Sequence, residues 1–356
     1  MGRVSFVLGG LVKLRRQHLL TTRTCVSMRI GTHDGAFHCD EALACYMLKK
    51  VDKFKSSPIV RTRDKATLNE LECVVDVGGV YDPQTLRFDH HQRGFFETFN
   101  TVKKTKLSSA GLVYKHFGRQ VIESVLDQKI ADQDLETVYN KVYSSFIEEV
   151  DGVDNGIQQY DTEAPPKYEA NSSLSARVGR LNPAWDDQNP DYDGCFEKAM
   201  ELTGSELEDT IKSVYHSWLP GKSILLDAVE GRFKVHPSGE VILLERYCPW
   251  KSHLYAVEEE LGFKTKYVIY LSANAESWRV HALGIDASSF TLRKPLPSPW
   301  RGLNDKELSA VTGIPDCVFT HMSGFIGGNR TVEGAIQMAA AAMDFSEAAD
   351  EVAADS

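Results

Sequence analysis

Apolar positions along the chain change their period several times, and each change marks an element. Met28-Arg29-Ile30-Gly31-Thr32 is a short apolar run ending in a glycine turn, the pattern of a buried strand. Asp40-Glu41 then charges the first turn of a predicted helix whose body is Ala42, Leu43, Cys45, Tyr46, Met47 and Leu48. Two more strands are predicted at Cys73-Val74-Val75-Asp76-Val77, before Gly78-Gly79, and at Leu86-Arg87-Phe88. From Ser108 to Glu149 the period becomes helical, with Leu112, Val113, Phe117, Val121, Ile122, Val125 and Leu126 at three- and four-residue spacing. Strands with polar residues at their carboxyl ends, separated by helices, predict a doubly wound, mainly parallel α/β sheet that binds ligands beyond those ends.

Pro165-Pro166, Asn182-Pro183 and Asn189-Pro190 break the pattern and predict a loop or linker. A helix over Phe196 to Leu219 should follow, then strands at Ser223–Leu226, Val241–Leu244, Tyr267–Ser272 and Arg279–Leu283, forming a second, smaller α/β domain. The expected division is therefore 1–27 apart from the fold, 28–160 as catalytic domain, 161–195 as linker, 196–343 as substrate-binding domain and 344–356 as a disordered acidic tail. A chain of 356 residues, 42% hydrophobic, has apolar material for two such cores.

Charge narrows the picture. A net charge of -10 excludes a protein that coats nucleic acid through a global basic field, so phosphate binding must be local. Seven scattered cysteines without a C-x-x-C pair suit a reducing compartment and exclude a disulfide framework or thiolate zinc site. Arg3, Lys13, Arg15, Arg16, Arg23 and Arg29 precede the first acidic residue, Asp34, which is the composition of a mitochondrial transit peptide. A secretory signal built on Val4–Val12 competes, but that apolar run is short, and a plain disordered terminus is the other alternative. No later stretch approaches the roughly 20 apolar residues of a membrane span.

The chemistry gathers in four segments: His33-x4-His38-x-Asp40, Asp76, Asp89-His90-His91, and Asp151-Gly152-Val153-Asp154. Four of the eleven histidines fall between residues 33 and 91. Any one of them would ordinarily be a surface or core imidazole, but their convergence beside glycine turns points to metal binding. Mixed imidazole and carboxylate donors suit manganese, or magnesium, better than structural zinc. Six or seven donors exceed what one catalytic ion needs, so two are expected; a pair about 3.5–4 Å apart acidifies a bridging water and neutralises the attacking and leaving oxygens at phosphorus.

The Asp-His-His triplet, after its upstream His/Asp and lone Asp segments, resembles the DHH phosphoesterase superfamily, which includes RecJ-type exonucleases and family II pyrophosphatases. More closely, Gly31-Thr32-His33-Asp34-Gly35-Ala36-Phe37-His38-Cys39-Asp40-Glu41-Ala42, Phe88-Asp89-His90-His91-Gln92, Asp154-Asn155-Gly156-Ile157 and Ser323-Gly324-Phe325-Ile326-Gly327-Gly328 are similar to the Myg family, named after the melanocyte proliferating gene product. The similarity runs from Met28 to about Ala342. It implies a DHH domain followed by a DHHA-like domain, and 3′→5′ exonuclease activity on single-stranded RNA in the mitochondrial matrix, with the nucleus as a second location. A hydrolase of pyrophosphate or another small phosphate is the alternative within the superfamily. The resemblance leaves the oligomeric state open, with a homodimer as one option.

By the same resemblance one ion would take His33, His38 and Asp76, and the other Asp40, Asp76, His90 and Asp151, with Asp76 bridging. Asp154 is the alternative to Asp151, and His38 stands where many superfamily members carry aspartate. His91 would face the scissile phosphate, and Asp89 would orient its histidine neighbours. In the second domain Arg301, His321, Ser323, Gly324, Gly327, Gly328 and Arg330 are the expected substrate-binding residues, because glycines let backbone amides approach a phosphate. Phe95, Phe96, Phe325 and Trp300 are candidate stacking surfaces for bases if exposed. Cys39 is read as packing, and Lys103-Lys104-Thr105-Lys106 as a solvated loop.

Overall fold

The first strand, β1 (Ile30–Thr32), is buried along its whole length, so both of its faces are covered and it shows no alternation of buried and exposed positions. The computed structural model describes residues 1–2, 28–162 and 164–346, so the expected transit segment, apart from Met1 and Gly2, and most of the acidic tail lie outside the described residues. Helix α1 (Cys39–Lys50) opens with the Glu41 carboxylate accepting from the His38 amide at 2.8 Å, and closes with Lys49 and Lys50 at its negative end. It leads to β2 (Ile59–Arg61), to α2 (Lys65–Glu70), capped by Asp64, and to β3 (Cys73–Val75). A hairpin of β4 (Tyr81–Asp82) and β5 (Arg87–Phe88) completes the sheet.

Its order is β2-β1-β3-β5-β4, parallel except where β4 pairs with β5. Successive strand residues point to opposite faces. Along β3, Cys73 and Val75 enter the large core under α1 and α3 (Ser109–Leu126), while Val74 meets Leu68 and Leu71 on the other side. Helices thus cover both faces, as a doubly wound sheet requires. The helical stretch after Ser108 is α3, α4 (Asp132–Val142) and α5 (Glu148–Asp154), the last two joined by a π-turn over Tyr143–Ile147.

Within the segment expected as linker lies α6 (Leu174–Gly179), whose Leu174 and Val178 are buried in the first core. Asn182 then clamps the backbone of Phe37, accepting from its amide at 3.0 Å and donating to its carbonyl at 2.9 Å. Helix α7 (Tyr192–Ser213) was expected to open the second domain. Instead Phe196, Ala199, Leu207 and Ile211 pack into the first core, and Gly204 lies so close to the Tyr46 ring that a Cβ there would meet it at 2.2 Å. A π-turn (Val214–Trp218) carries the helix on into α8 (Leu219–Glu230). Ser223–Leu226, expected as a strand, is therefore helical. Its apolar run is too short to separate the two states, and Leu225 and Val229, one turn apart, bury the same face.

After α9 (Arg232–Val235), the second sheet comprises β6 (Val241–Leu244), β7 (Tyr267–Leu271), β8 (Trp278–Ala282), β9 (Cys317–Thr320) and β10 (Ile326–Asn329), with α10 (Lys251–Leu261), α11 (Asp305–Thr312) and α12 (Val332–Asp344) packed around it. The order is β6-β7-β8-β10-β9, with one parallel pair, β6–β7, and three antiparallel ones. Tyr267, Ile269, Val280 and Ala282 face Ala335, Met338 and Ala339 of α12, whereas Ile242, Leu244 and Val268 face α8 and α10. The chain is a two-sheet α/β protein, the first sheet mainly parallel and the second mixed.

Candidate metal centre

Each parallel strand of the first sheet's middle is followed directly by polar residues: β1 by His33, β3 by Asp76 and β5 by Asp89-His90-His91. These ends meet where the chain leaves β1 for one neighbour and returns to the other, the crevice in which such sheets bind ligands. Asp76 adopts the left-handed region, φ 57, a conformation that aspartate tolerates better than most residues. Its amide donates to the Phe88 carbonyl at 3.2 Å and its Oδ1 accepts from Ser109 Oγ at 3.0 Å. The carboxylate is thereby turned across the strand ends.

His33 Nδ1 lies 3.1 Å from the Asp34 carbonyl, which leaves Nε2 facing Glu41 Oε1 at 3.0 Å and Asp76 Oδ2 at 3.4 Å. Burial opposes a charged imidazole, yet Asp76 and Glu41 outweigh it and raise the His33 pKa to about 10. Burial also works against an ionised Asp76, and His33 and His90 overcome it, holding that carboxyl well below the usual range. His90 Nε2 stands 3.3 Å from Asp76 Oδ1, 3.2 Å from Asp154 Oδ2 and 4.0 Å from Asp40 Oδ2. Its Nδ1 is 3.3 Å from Asn155 Oδ1.

Asp40 is wholly buried, and neither carboxylate oxygen accepts from an N–H or hydroxyl donor; the group it meets is the Asp154 carboxyl. Burial, then Asp76, Asp154 and Glu41, push its pKa well above that of an ordinary carboxyl. A buried carboxyl without a donor, set among three others, either keeps its proton or is joined by a cation. That observation fits a divalent ion. Donor atoms converge in three overlapping groups: His33, His38, Glu41 and Asp76; Asp76, His90 and His91; and His38, Asp40 and Asp154. Asp76 and His38 each belong to two of them.

Asp151 does not reach this cluster. Its carboxylate accepts from Ser108 N at 2.9 Å, Ser108 Oγ at 2.8 Å, Gly111 N at 3.0 Å and Tyr143 Oη at 3.0 Å, so it serves the amino end of α3. Burial pushes its pKa up to about 7 against those donors. Asp154, one turn further along α5, supplies the carboxylate that the fourth segment brings to the cluster. Glu41 was also missed as a candidate ligand, although its position three residues after His38 signalled the cap that aims it at His33.

The triplet divides its labour differently from expectation in one respect. Asp89 Oδ1 accepts from His91 N at 3.0 Å and lies 2.9 Å from His91 Nδ1, and Oδ2 accepts from the Gly79 amide. Asp89 therefore orients His91, while Asn155 orients His90. The His91 side chain is 61% exposed, so it faces outward, and Asp89 raises its pKa.

In the second domain, Gly327 and Gly328 lie in β10, between β8 and β9, rather than in a turn. A Cβ on Gly327 would meet Leu296 Cδ1 at 2.9 Å, and one on Gly328 would meet Arg279 at 2.8 Å, so packing accounts for both glycines. Gly324, φ 71, is the true turn residue. Arg301 Nε donates to the Leu296 carbonyl at 2.9 Å, His321 Nδ1 lies 3.0 Å from Ser323 Oγ, and Arg330 pairs with Asp305 at 3.6 Å. Among the described residues, no hydrogen bond or ion pair joins His321, Ser323 or Arg330 to the histidine and carboxylate cluster. Phe95 and Trp300 are core residues, Phe325 is half-buried, and Phe96 is exposed.

Residues 29–343 match the family model MYG1_exonuc, described as "Uncharacterised protein family (UPF0160)". The MYG1 protein of Dictyostelium discoideum is 49% identical over 316 residues, 88% of this chain and 95% of that protein. The MYG1 exonuclease of Mus musculus is 49% identical over 88% of this chain and 84% of its own, and that of Homo sapiens 47% identical over 88% and 85%. A solved structure of exonuclease RecJ bound to manganese matches 91% of this chain at 13% identity with a TM-score of 0.25, too loose a superposition to place any residue. With the family model spanning nearly all of both domains, the chain belongs to the MYG1_exonuc (UPF0160) family.

Proposed function

We propose that this chain is a divalent-metal-dependent exonuclease that removes nucleotides from the 3′ end of single-stranded RNA. The observation that carries the metal dependence is Asp40, a buried carboxyl whose oxygens accept from no N–H or hydroxyl donor and which faces Asp154 and His90. His33, His38 and Asp76 would hold one ion, with Glu41 beside them, and Asp40, Asp76, His90 and Asp154 the other. Bound there, two manganese or magnesium ions would supply an acidified water and neutralise charge on the phosphoryl oxygens. His91, held through Nδ1 by Asp89, presents its other nitrogen to solvent, where it can donate a proton to the leaving oxygen. Exonuclease action is supported by the names of the mouse and human relatives, while polarity and RNA preference rest on family resemblance. The mitochondrial matrix and nucleus are the proposed locations.

Incubating the manganese-supplemented protein with RNA labelled at either end, and separately with pyrophosphate, tests this reading. Stepwise shortening from the 3′ end is expected. Phosphate release from pyrophosphate without RNA shortening would overturn it.

A further inference from the structure

The segment from Gln92 to Leu107 joins the Asp-His-His triplet to α3, and its two ends are both tied to the metal cluster. At one end the Gln92 side chain accepts from Tyr81 N at 3.3 Å and donates to the Asp89 carbonyl at 3.2 Å. At the other, Asn155 Nδ2 donates to the Lys106 carbonyl at 3.0 Å while Asn155 Oδ1 lies 3.3 Å from His90 Nδ1. Leu107 N closes the loop on Glu97 O at 2.9 Å. The loop is thus a rim of the site.

Its side chains are unlike the rest of this acidic protein. Four cations, Arg93, Lys103, Lys104 and Lys106, stand against one carboxylate, Glu97, in a chain whose net charge is -10. Glu97 is taken by Lys115, and Lys103 by Glu148. Arg93 and Lys104 have no ion-pair partner among the described residues. The adjacent phenylalanines differ in role. Phe95 is buried edge-on to Tyr81, 5.6 Å between centroids, and anchors the turn, which leaves Phe96 81% exposed. A bare aromatic face is costly to leave in water, and every nucleobase offers a π-face to cover it.

We propose that the 92–107 loop is a binding track for the single-stranded RNA substrate, Phe96 stacking on a base and Arg93 and Lys104 taking backbone phosphates. The track supplies locally the positive charge that the chain as a whole lacks. This inference rests on the RNA reading above and names the residues that would bring a strand to the metals.

The test uses full-length protein with manganese, a single-stranded oligouridylate and a small chromogenic phosphodiester. In Phe96→Ala, kcat/KM on the oligonucleotide should fall about 5- to 100-fold relative to that on the chromogenic diester, through KM, as expected for loss of a base stack. In the double variant Arg93→Gln/Lys104→Gln, the slope of log affinity against log salt should flatten by about 1.4, roughly 0.7 per phosphate contact removed. Equal thermal midpoints would confirm that the variants fold. Wild-type KM and salt slope in both variants would overturn the inference while leaving the nuclease reading intact. Equal loss on both substrates would overturn it too, since the loop would then act through the metal cluster. A wild-type protein that neither binds nor shortens RNA would overturn both.

Discussion

The Tyr143 hydroxyl donates to Asp151 Oδ2 at 3.0 Å, and this contact separates two aspartates of one helix into different roles. Asp151 is locked among four donors at the start of α3, whereas Asp154 faces His90 at 3.2 Å. Both come from one short acidic segment, and only the direction of each side chain distinguishes them.

Exchanging each for asparagine should separate the roles. Asp151→Asn leaves buried donors facing an amide NH2 and should lower stability by about 2–4 kcal/mol, read by urea denaturation. Asp154→Asn should leave the urea midpoint near that of the wild type and abolish manganese-dependent hydrolysis. Full activity in Asp154→Asn would remove it from the site.

Metal binding should be visible without turnover. Manganese at a hundredfold excess over Kd should stabilise the folded chain by roughly 2.7 kcal/mol per site, seen as a raised Tm that EDTA reverses. Asp40→Asn should raise the Tm of the metal-free protein, because it removes a carboxyl that is buried beside other carboxylates with no N–H or hydroxyl donor, and should shrink the manganese shift. A lower metal-free Tm with an undiminished manganese shift would contradict the assignment of Asp40.

Stability should depend on pH through His281 in the second domain. Burial, followed by the nearby Lys251 charge, lowers its pKa from 6.5 to about 4. The folded state therefore holds a neutral imidazole where the unfolded chain binds a proton. Its contribution is present above pH 6.5 and is lost as pH falls towards about 4, giving stability that rises with pH across this window. The difference in unfolding free energy between wild type and His281→Gln should shrink on acidification through that range. A difference independent of pH would refute the linkage.

Helix α7 offers a packing test. Gly204→Ala places a methyl 2.2 Å from the Tyr46 ring, so either the ring or the helix must shift. A loss of about 1–3 kcal/mol is expected from such overpacking, measured by thermal or urea denaturation. A stabilised variant would show that α7 is not held against α1 as described.

The nucleus of the site was legible because its donors follow strand ends. His33, Asp76 and Asp89-His90-His91 each stand directly beyond a short apolar run, and the sheet rule places such residues together. The second domain was less legible. Ile326-Gly327-Gly328 has the composition of a turn, and its strand identity depends on pairing with 278–282 and 317–320, where those strands and Leu296 crowd the space of a Cβ. Phe95 and Phe96 are chemically identical, so nothing in their order says which one anchors the loop and which faces solvent.

By itself, the sequence determined the α/β class, the strands of the first sheet's centre, the convergence of histidines and aspartates, and the family. These depend on local period and contiguous motifs. Tertiary structure alone decided that α7 belongs to the first core, that Glu41 and Asp154 rather than Asp151 join His33 and His90, and that the basic loop borders this histidine and carboxylate cluster. The physical reason is common to all three. Spacing along a helix or strand sets which residues share a face, but what that face meets depends on elements distant in the chain.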